Sequence, residues 1–255
     1  MSFIDALQLP SSARIHLNLP KNLLKKHGFA DALLDEFAVQ NGKTQCYDNA
    51  LIAPRTCAIP VYQDETCLYD EIHVIELEVK TSKHLEKLED TFFKSIPYAL
   101  ILVVHCDAQT RISLAHFRTN IADKSQNVIT DIVHSQWFSG DACDFFCPNG
   151  DGTKKHLFAL YSLIFDNIVL DNVRLIWPNI DTTPENALSL LRQYNDLQKK
   201  CEQLKASRKP DMPFAKKCML SQEIQYIKAR IDNLPNQNKD ELILSNGDSH
   251  SKTLF

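Results

Sequence analysis

The sequence predicts an α/β (α+β) protein, in which a mixed sheet with flanking helices is followed by a C-terminal antiparallel helical hairpin of coiled-coil-like pattern. Two observations carry this prediction. The middle of the chain alternates strand-like and helix-like hydrophobic patterns. The last third spaces its apolar residues three and four apart along two long segments. With 255 residues and 44% hydrophobic content, the chain can bury one substantial core.

The first elements are short and are separated by proline and glycine. Alternating apolar residues predict a strand over 15–19, and helical spacing predicts helices over 21–27 and 30–40. Residues 49–61 contain prolines that interrupt an otherwise extended pattern. These segments therefore precede the main body of the sheet.

The segment YDEIHVIELEVK, at 69–80, alternates apolar side chains with Glu76, Glu78 and Lys80. Successive side chains of a strand point to opposite faces, so the three charged residues share one face. The pattern predicts a half-buried strand whose charged face meets solvent.

The following segments complete the predicted body. Helical spacing over 82–96 ends at a proline, and the apolar run over 98–106 predicts a buried strand. Alternation over 110–118 predicts a strand that pairs with it as a hairpin. Turn-forming residues make 135–155 a long loop, and 156–169 is an apolar helix.

The C-terminal third carries two amphipathic helices joined by a proline-bearing loop. They predict a hairpin, and the composition shift near Trp177 marks the start of a linker. The predicted domains are an α/β body over 1–180, a hairpin over 181–236 and a disordered tail over 237–255. The seam residues are Ala187, Leu190, Tyr194, Leu197, Cys201 and Leu204 on the first helix, and Leu220, Ile224, Ile227, Ile231 and Leu234 on the second.

Neither the net charge nor the glycine content indicates phosphate binding at the level of the whole chain, and a local basic patch is left open. The net charge of -4 and pI of about 6.1 give no global basic excess of the kind that marks many nucleic-acid-binding proteins. Only 6 glycines are present, and neither GxGxxG nor GxxxxGK[ST] occurs. A glycine-rich phosphate loop is therefore not expected.

The N-terminal pattern, the length of the apolar runs and the cysteine spacing predict a cytoplasmic protein without a bound cofactor or metal. No secretory pattern opens the chain, and the longest apolar run is too short to span a bilayer. The 8 cysteines are then expected to be reduced thiols. Cys143 and Cys147 are the closest pair, but their spacing is not the CxxC of most zinc sites.

Seven segments follow one another in a recognisable order and spacing. They are LPKNLLKKHGF, IAPRTCAIPV, YDEIHVIELEV, KSIPYALIL, AHFR, SQWF and LSQEIQYIKARIDNL. In order and spacing these segments resemble a bacterial family, the domain of unknown function 4391. The resemblance covers roughly residues 14–234 and rests on the series of segments rather than on one motif.

The resemblance implies an accessory role rather than a defined chemistry. Members of the family are encoded beside helicases and DNA methyltransferases of restriction-like, anti-phage modules. Lys21, Glu71 and Arg118 match polar positions of the family. The family usually has an acidic residue before the Ile-Pro turn, where this chain has Phe93. If that acid were catalytic, this chain would lack it.

One candidate catalytic site is the charged face of the predicted strand. Glu76, Glu78 and Lys80, with Glu71 upstream, suit a metal-dependent PD-(D/E)xK-like nuclease. Such a site needs carboxylates to hold Mg²⁺ or Mn²⁺ and a lysine to position water. The alternative is a solvated strand face whose opposite charges pair.

A second candidate site joins Lys21, Glu71 and Arg118. Each lies next to the end of a predicted element, so the three can meet at one end of the sheet. There they would bind a phosphate, a nucleic-acid backbone or a carboxylate of a partner. The alternative is a structural ion pair.

A third candidate site is the basic loop of the hairpin. Clustered lysines and arginines are what phosphate contact requires, which makes this loop a candidate DNA or RNA contact. The alternative is a solvated helix end, where cations interact favourably with the helix dipole. The residues concerned are Lys205, Arg208, Lys209, Lys216 and Lys217.

The function predicted from these features is that of a non-enzymatic adaptor. A two-helix hairpin buries only a narrow seam, so apolar residues around Leu191, Phe214 and Met219 remain for a partner or for a second copy of the chain. The expected partner is the helicase or DNA methyltransferase of the module, with DNA and homodimerisation as further possibilities. The alternative is that the hairpin docks onto the chain's own body.

Overall fold

The computed structural model describes residues 3–15, 21–26, 28–37, 39–40, 43–44, 46–119, 127–139, 155–209 and 211–247. The chain folds into two compact units, 1–168 and 169–255. The domain bounds predicted from the sequence stay predictions.

The described residues form helices that are short in the first third of the chain and long in the last. A single 3₁₀ turn lies at Ser11–Ala13. In chain order the helices are α1 (Phe3–Ala6), α2 (Lys21–Lys26), α3 (Asp31–Leu34), α4 (Pro54–Cys57), α5 (Leu85–Ser95), α6 (Leu157–Ile176), α7 (Pro184–Ser207) and α8 (Phe214–Gly247).

The strands belong to one large sheet and to two small hairpins. In chain order they are β1 (Arg14–Ile15), β2 (Val39–Gln40), β3 (Lys43–Thr44), β4 (Cys46–Ile52), β5 (Tyr62–Gln63), β6 (Leu68–Tyr69), β7 (Ile72–Val79), β8 (Ala99–Cys106), β9 (Gln109–Thr119), β10 (Asn127–His134) and β11 (Phe138–Ser139).

The large sheet has the order β1-β4-β7-β8-β9-β10, and β11 also pairs with β9. β7 and β8 are parallel and are connected through α5, whereas the other neighbouring strands are antiparallel. A parallel pair needs a crossover of this kind, while antiparallel pairs can be joined by short turns. The predicted fold class, a mixed sheet with flanking helices and a C-terminal helical pair, is confirmed.

Helix α5 covers one face of the sheet because its apolar residues recur on one side. Leu85, Leu88 and Phe92 are buried, and Pro97 follows directly after the helical cap at Ile96. Phe92 packs edge-on against Phe29 at a centroid distance of 4.8 Å. This face holds a hydrophobic core of the first unit.

The first part of α6 packs on β9 within the first unit. The phenol of buried Tyr161 lies where the β8–β9 pairing ends. The phenol oxygen accepts a hydrogen bond from Ala115 N at 2.9 Å. The hydroxyl donates to a main-chain carbonyl oxygen, and the carbonyl oxygens of Leu100 and Ala115 both lie at 2.9 Å. The hydroxyl thereby satisfies backbone groups that the strand pairing leaves.

The prediction of a half-buried β7 is wrong. Ile72, Val74 and Glu76 lie on the face that was expected to meet solvent, and all three are buried. The reason is a contact distant in sequence, because α1 packs there and Ile4 N donates a hydrogen bond to the Glu76 carboxylate.

Other differences concern weak local signals. The predicted helix over 30–40 is shorter, because it ends at Leu34 and the chain enters β2 at Val39. Strand β10 was not predicted, and its pairing with β9 is interrupted by an irregularity between Ile129 and Asp131. Such an irregularity breaks the alternation by which a strand is recognised.

The second unit contains the predicted hairpin. Helices α7 and α8 pack through Cys201, Ile227 and Ile231, with partly buried neighbours around them, and Trp177 contacts Tyr194 edge-on at 5.7 Å. Helix α8 runs to Gly247, past the predicted end of the hairpin at 236.

None of the described helices has the length and hydropathy that a membrane-spanning segment requires. Cys143 and Cys147 lie outside the described residues.

Candidate functional site

A face of α8 that borders the hairpin seam presents apolar side chains to solvent. Met219 is 69% exposed and Tyr226 is 65% exposed, and they lie two helical turns apart. The outer face of α8 is defined here as the row Lys216, Met219, Glu223, Tyr226 and Arg230, whose spacing alternates between three and four residues.

The seam side of α8, next to this row, explains why these residues stay outside. Ile227, Ile231 and Leu234 are buried there, so the helix already buries one apolar face in its own hairpin. A helix with a second apolar row has more hydrophobic surface than the hairpin seam covers. Lys200 of α7 approaches Glu223 at 3.7 Å, which places the acidic member of the row beside the first helix.

Of the residues predicted to form an apolar strip, one is buried, and one further exposed residue was not predicted. Leu191 is buried and cannot contribute, whereas Phe214 and Met219 are exposed as expected. Phe214 lies at the first residue of α8 and is 82% exposed. Tyr226 was missed, although its heptad relation to Met219 is a signal that the sequence contains.

The basic loop residues lie around the tip of the hairpin. Arg208, Lys209 and Lys216 are exposed and Lys217 is half-buried. Lys205 is exposed and pairs with Glu202 at 2.6 Å, and this hydrogen bond raises the pKa of Lys205. Phosphate contact by this loop stays a prediction.

Glu76, one of the candidate nuclease residues, is a buried structural carboxylate. Its Oε1 accepts a hydrogen bond from Ile4 N at 2.9 Å, and its Oε2 lies 3.3 Å from His105 Nε2. The other ring nitrogen of His105 lies 3.0 Å from Thr110 Oγ1. These contacts connect α1, β7, β8 and β9, so the carboxylate holds the sheet to the N-terminal segment.

The other members of the candidate nuclease set are spread apart in their contacts. Glu78 is half-buried on β7. Lys80 Nζ donates to the carbonyl oxygen of Asp35 at 3.0 Å, and Lys80 N donates to that of Glu36 at 2.7 Å. Among the described residues, no group of three or more His, Cys, Asp or Glu side chains is arranged to hold a metal ion.

Glu71, which belongs to two of the candidate sets, contacts residues that the sequence did not single out. Its carboxylate lies 3.3 Å from Arg55 Nη2 and 2.8 Å from His73 Nε2. Arg118 is exposed near the end of β9, opposite Val128. Lys21 opens α2, and its side chain lies outside the described part of the chain.

A second buried carboxylate, Glu89, lies between α5 and the sheet. The Ser113 hydroxyl donates to Glu89 Oε1 at 2.7 Å. Arg111 Nε lies 3.4 Å from Glu89 Oε1, and His134 Nδ1 lies 3.1 Å from Glu89 Oε2. Within the part of the chain that the structure describes, neither Arg111 Nε nor Glu89 Oε2 makes a hydrogen bond. We call these four residues the Glu89 cluster.

Burial controls the protonation of the Glu89 cluster. It raises the pKa of Glu89, an effect that the neighbouring Arg111 charge opposes. Burial, together with the Arg111 charge, lowers the pKa of His134 to about 4. The histidine is therefore neutral near pH 7, where it can accept or donate a hydrogen bond without adding a second positive charge.

Stability is expected to fall as the pH drops from about 6.5 towards 4. Burial also lowers the pKa of His116 to about 4, although Asp131 opposes the shift. Unfolded histidines bind protons below their ordinary pKa of about 6.5, whereas these two half-buried rings stay neutral until about pH 4. Between pH 6.5 and pH 4 the free energy of unfolding should decrease by ~2 kcal/mol per histidine, which urea unfolding at a series of pH values measures.

His134→Gln is the variant that tests this pH dependence, because glutamine keeps a hydrogen-bonding side chain but does not titrate. Its unfolding free energy should decrease less between pH 6.5 and pH 4 than that of the wild type. An unchanged pH dependence would show that His134 is protonated equally in the folded and unfolded states.

Comparison with known proteins agrees with the order of segments in the sequence. The model of the family described as domain of unknown function (DUF4391) matches residues 7–231. No match is found among curated proteins or among solved structures. Because the family model covers most of the chain, the chain belongs to the DUF4391 family.

Proposed function

We propose that this protein is a non-enzymatic accessory protein that binds a protein partner through the outer face of α8. The observation that supports the proposal is the exposure of Met219 and Tyr226 on a helix whose neighbouring face is already packed in the hairpin seam. Exposed tyrosine and methionine are typical anchors of protein interfaces. A hairpin fixed by its own seam presents them without further ordering, which lowers the entropic cost of binding.

The charges of this face indicate the chemistry of the partner. Lys216 and Arg230 are exposed at its two ends, each about one turn from an apolar anchor. A partner helix with apolar residues in its centre and acidic residues at both ends would complement this row. In keeping with the family resemblance, we propose that the partner is a cytoplasmic helicase or DNA methyltransferase of a restriction-like, anti-phage module.

The experiment that tests the proposal is co-expression with the helicase and the methyltransferase encoded beside the gene, followed by co-purification and measurement of the dissociation constant. The double variant Met219→Ala, Tyr226→Ala should bind at least ~10-fold more weakly, because buried aromatic and apolar anchors dominate interface energy. Both residues are exposed in the free protein, so the free energy of unfolding should be almost unchanged.

Gln225→Ala is the matched control for the double variant. Gln225 is exposed on the same helix but lies outside the row of the outer face. Its substitution should leave the affinity unchanged. The proposal fails if neither neighbour-encoded protein co-purifies, or if the double variant binds as tightly as the control.

A further inference from the structure

A cleft opens in the first unit where α5 ends above the sheet. Its volume is about 480 Å³, within the range of small-molecule sites. Phe93, Ile96, Phe117 and Ile129 contribute apolar walls, and buried Leu100 and Ala115 also line it. Of the residues described by the structure, none that lines the cleft is acidic.

Tyr98 forms a flat aromatic wall of this cleft. It is 41% exposed, and one face of its ring stacks on His73 with a centroid distance of 5.1 Å and an interplanar angle of 24°. His73 is held in turn by Glu71, 2.8 Å from its Nε2. The stacking partner thus fixes the orientation of the tyrosine ring and leaves its second face for another planar group.

One basic side chain lines the cleft, and two arginines lie outside its lining at the same end of the sheet. Lys94 lines the cleft, where it pairs with Asp90 on the preceding turn of α5. Arg55 is 68% exposed and pairs with Glu71, which also holds His73. Arg118 lies at the same end of the sheet, opposite Val128 of the cleft lining. Apolar walls with basic residues around them suit a ligand that has both a ring and an anionic group.

We infer that this cleft binds a nucleotide unit, with the base stacked on Tyr98 and the phosphate held by Lys94 and the neighbouring arginines. Stacking on an aromatic side chain accepts any base, because every base has a π-face. A phosphate would draw Lys94 from Asp90, since the two groups form an exposed pair of the kind that contributes little to stability. The nucleotide can be free or belong to a single-stranded nucleic acid.

Phe93 gives the cleft its apolar character. It is buried against a hydrophobic core of the first unit and also lines the opening. An acid there would repel a phosphate and would attract a cation instead. The phenylalanine therefore favours binding of a ring over metal-dependent chemistry at this point.

The inference is tested by calorimetric titration of the purified protein with adenosine monophosphate and, separately, with a short single-stranded oligothymidylate. Tyr98→Ala should weaken binding ~10-fold, and Tyr98→Phe should retain it, because the stacking surface and not the hydroxyl makes the contact. Lys94→Glu should also weaken binding and reduce its dependence on salt concentration.

Two control variants test whether the nucleotide binds in this cleft or elsewhere on the protein. Lys83→Glu makes the same charge change at an exposed lysine that does not line the cleft. Tyr226→Ala removes an exposed tyrosine of the second unit. Both should bind the two probes as the wild type does. A loss of nucleotide binding with Tyr226→Ala would place the site on the hairpin and overturn the inference.

The two probes also distinguish the sources of the nucleotide. Equal affinity for both indicates a free nucleotide, and much tighter binding of the oligonucleotide indicates single-stranded nucleic acid. The inference is overturned if neither probe binds with a Kd below about 1 mM. It is equally overturned if Tyr98→Ala and Lys94→Glu, each checked for folding by thermal unfolding, bind like the wild type.

Discussion

Replacing Glu89 with alanine is expected to reduce the free energy of unfolding by about 3–5 kcal/mol. The carboxylate is fully buried, and its removal leaves the Arg111 charge without its ion-pair partner and the Ser113 hydroxyl without its acceptor. Breaking a buried charge pair costs more than the pair contributes, because the remaining charge is left in an apolar environment. Urea unfolding near pH 7, followed by circular dichroism, measures the loss.

Two further variants identify the cause of this loss. Glu89→Gln keeps an acceptor for Ser113 but removes the negative charge beside Arg111, so its effect should be intermediate. Glu86→Ala changes an exposed carboxylate on the same helix and should alter stability by less than ~0.5 kcal/mol. If Glu89→Ala were as mild as Glu86→Ala, the cluster would contribute nothing to stability.

The elements that could be predicted are those whose burial is set by nearby residues. Strand β8 is apolar along its length because neighbours cover both of its faces, and α5 shows one apolar side with a proline just beyond its end. The hairpin seam follows the same logic, because two consecutive helices cover each other. In these cases the local pattern contains the information that determines packing.

The elements that could not be predicted depend on contacts between residues far apart in the chain. Glu76 is charged and was assigned to solvent, but its acceptor role requires Ile4, 72 residues away. Glu89 belongs to a helix with many charged residues, and only the fold brings it to Ser113 and His134. A buried carboxylate and an exposed one look alike in a single sequence, because the difference lies in their partners.

The candidate sites also differ in how much of each could be predicted from the sequence. The outer face of α8 was half-predicted, since Met219 was named from the sequence whereas Tyr226 was missed and Leu191 was wrongly included. The cleft beside Tyr98 gave no sequence signal, because its lining comes from three separate segments that meet at the end of the sheet. The two sites lie in different units and are tested by different substitutions, so that either proposal can fail without the other.

Glu76→Ala is expected to destabilise the protein by about 2–3 kcal/mol, because Ile4 N would lose its buried acceptor and His105 Nε2 its carboxylate. Glu76→Gln keeps an oxygen that can accept from Ile4 N and should restore most of the loss. Both values are obtained from urea unfolding curves of the full chain. The α1 segment should also exchange its amide hydrogens faster in Glu76→Ala, because its anchor to β7 is removed.

Substitutions of Glu76 and Glu78 distinguish the proposed adaptor from the alternative, a metal-dependent nuclease. A metal-dependent nuclease would cleave DNA or RNA with Mg²⁺ or Mn²⁺ and would lose cleavage in Glu78→Ala and in Glu76→Gln while remaining folded. An adaptor whose Glu76 is structural would show no cleavage in any of these forms and would lose stability in Glu76→Ala. Because Glu76 Oε1 is occupied by Ile4 N and Lys80 Nζ by a carbonyl oxygen, we expect the second result. Metal-dependent cleavage that disappears in well-folded Glu78→Ala would contradict both this prediction and the proposed function.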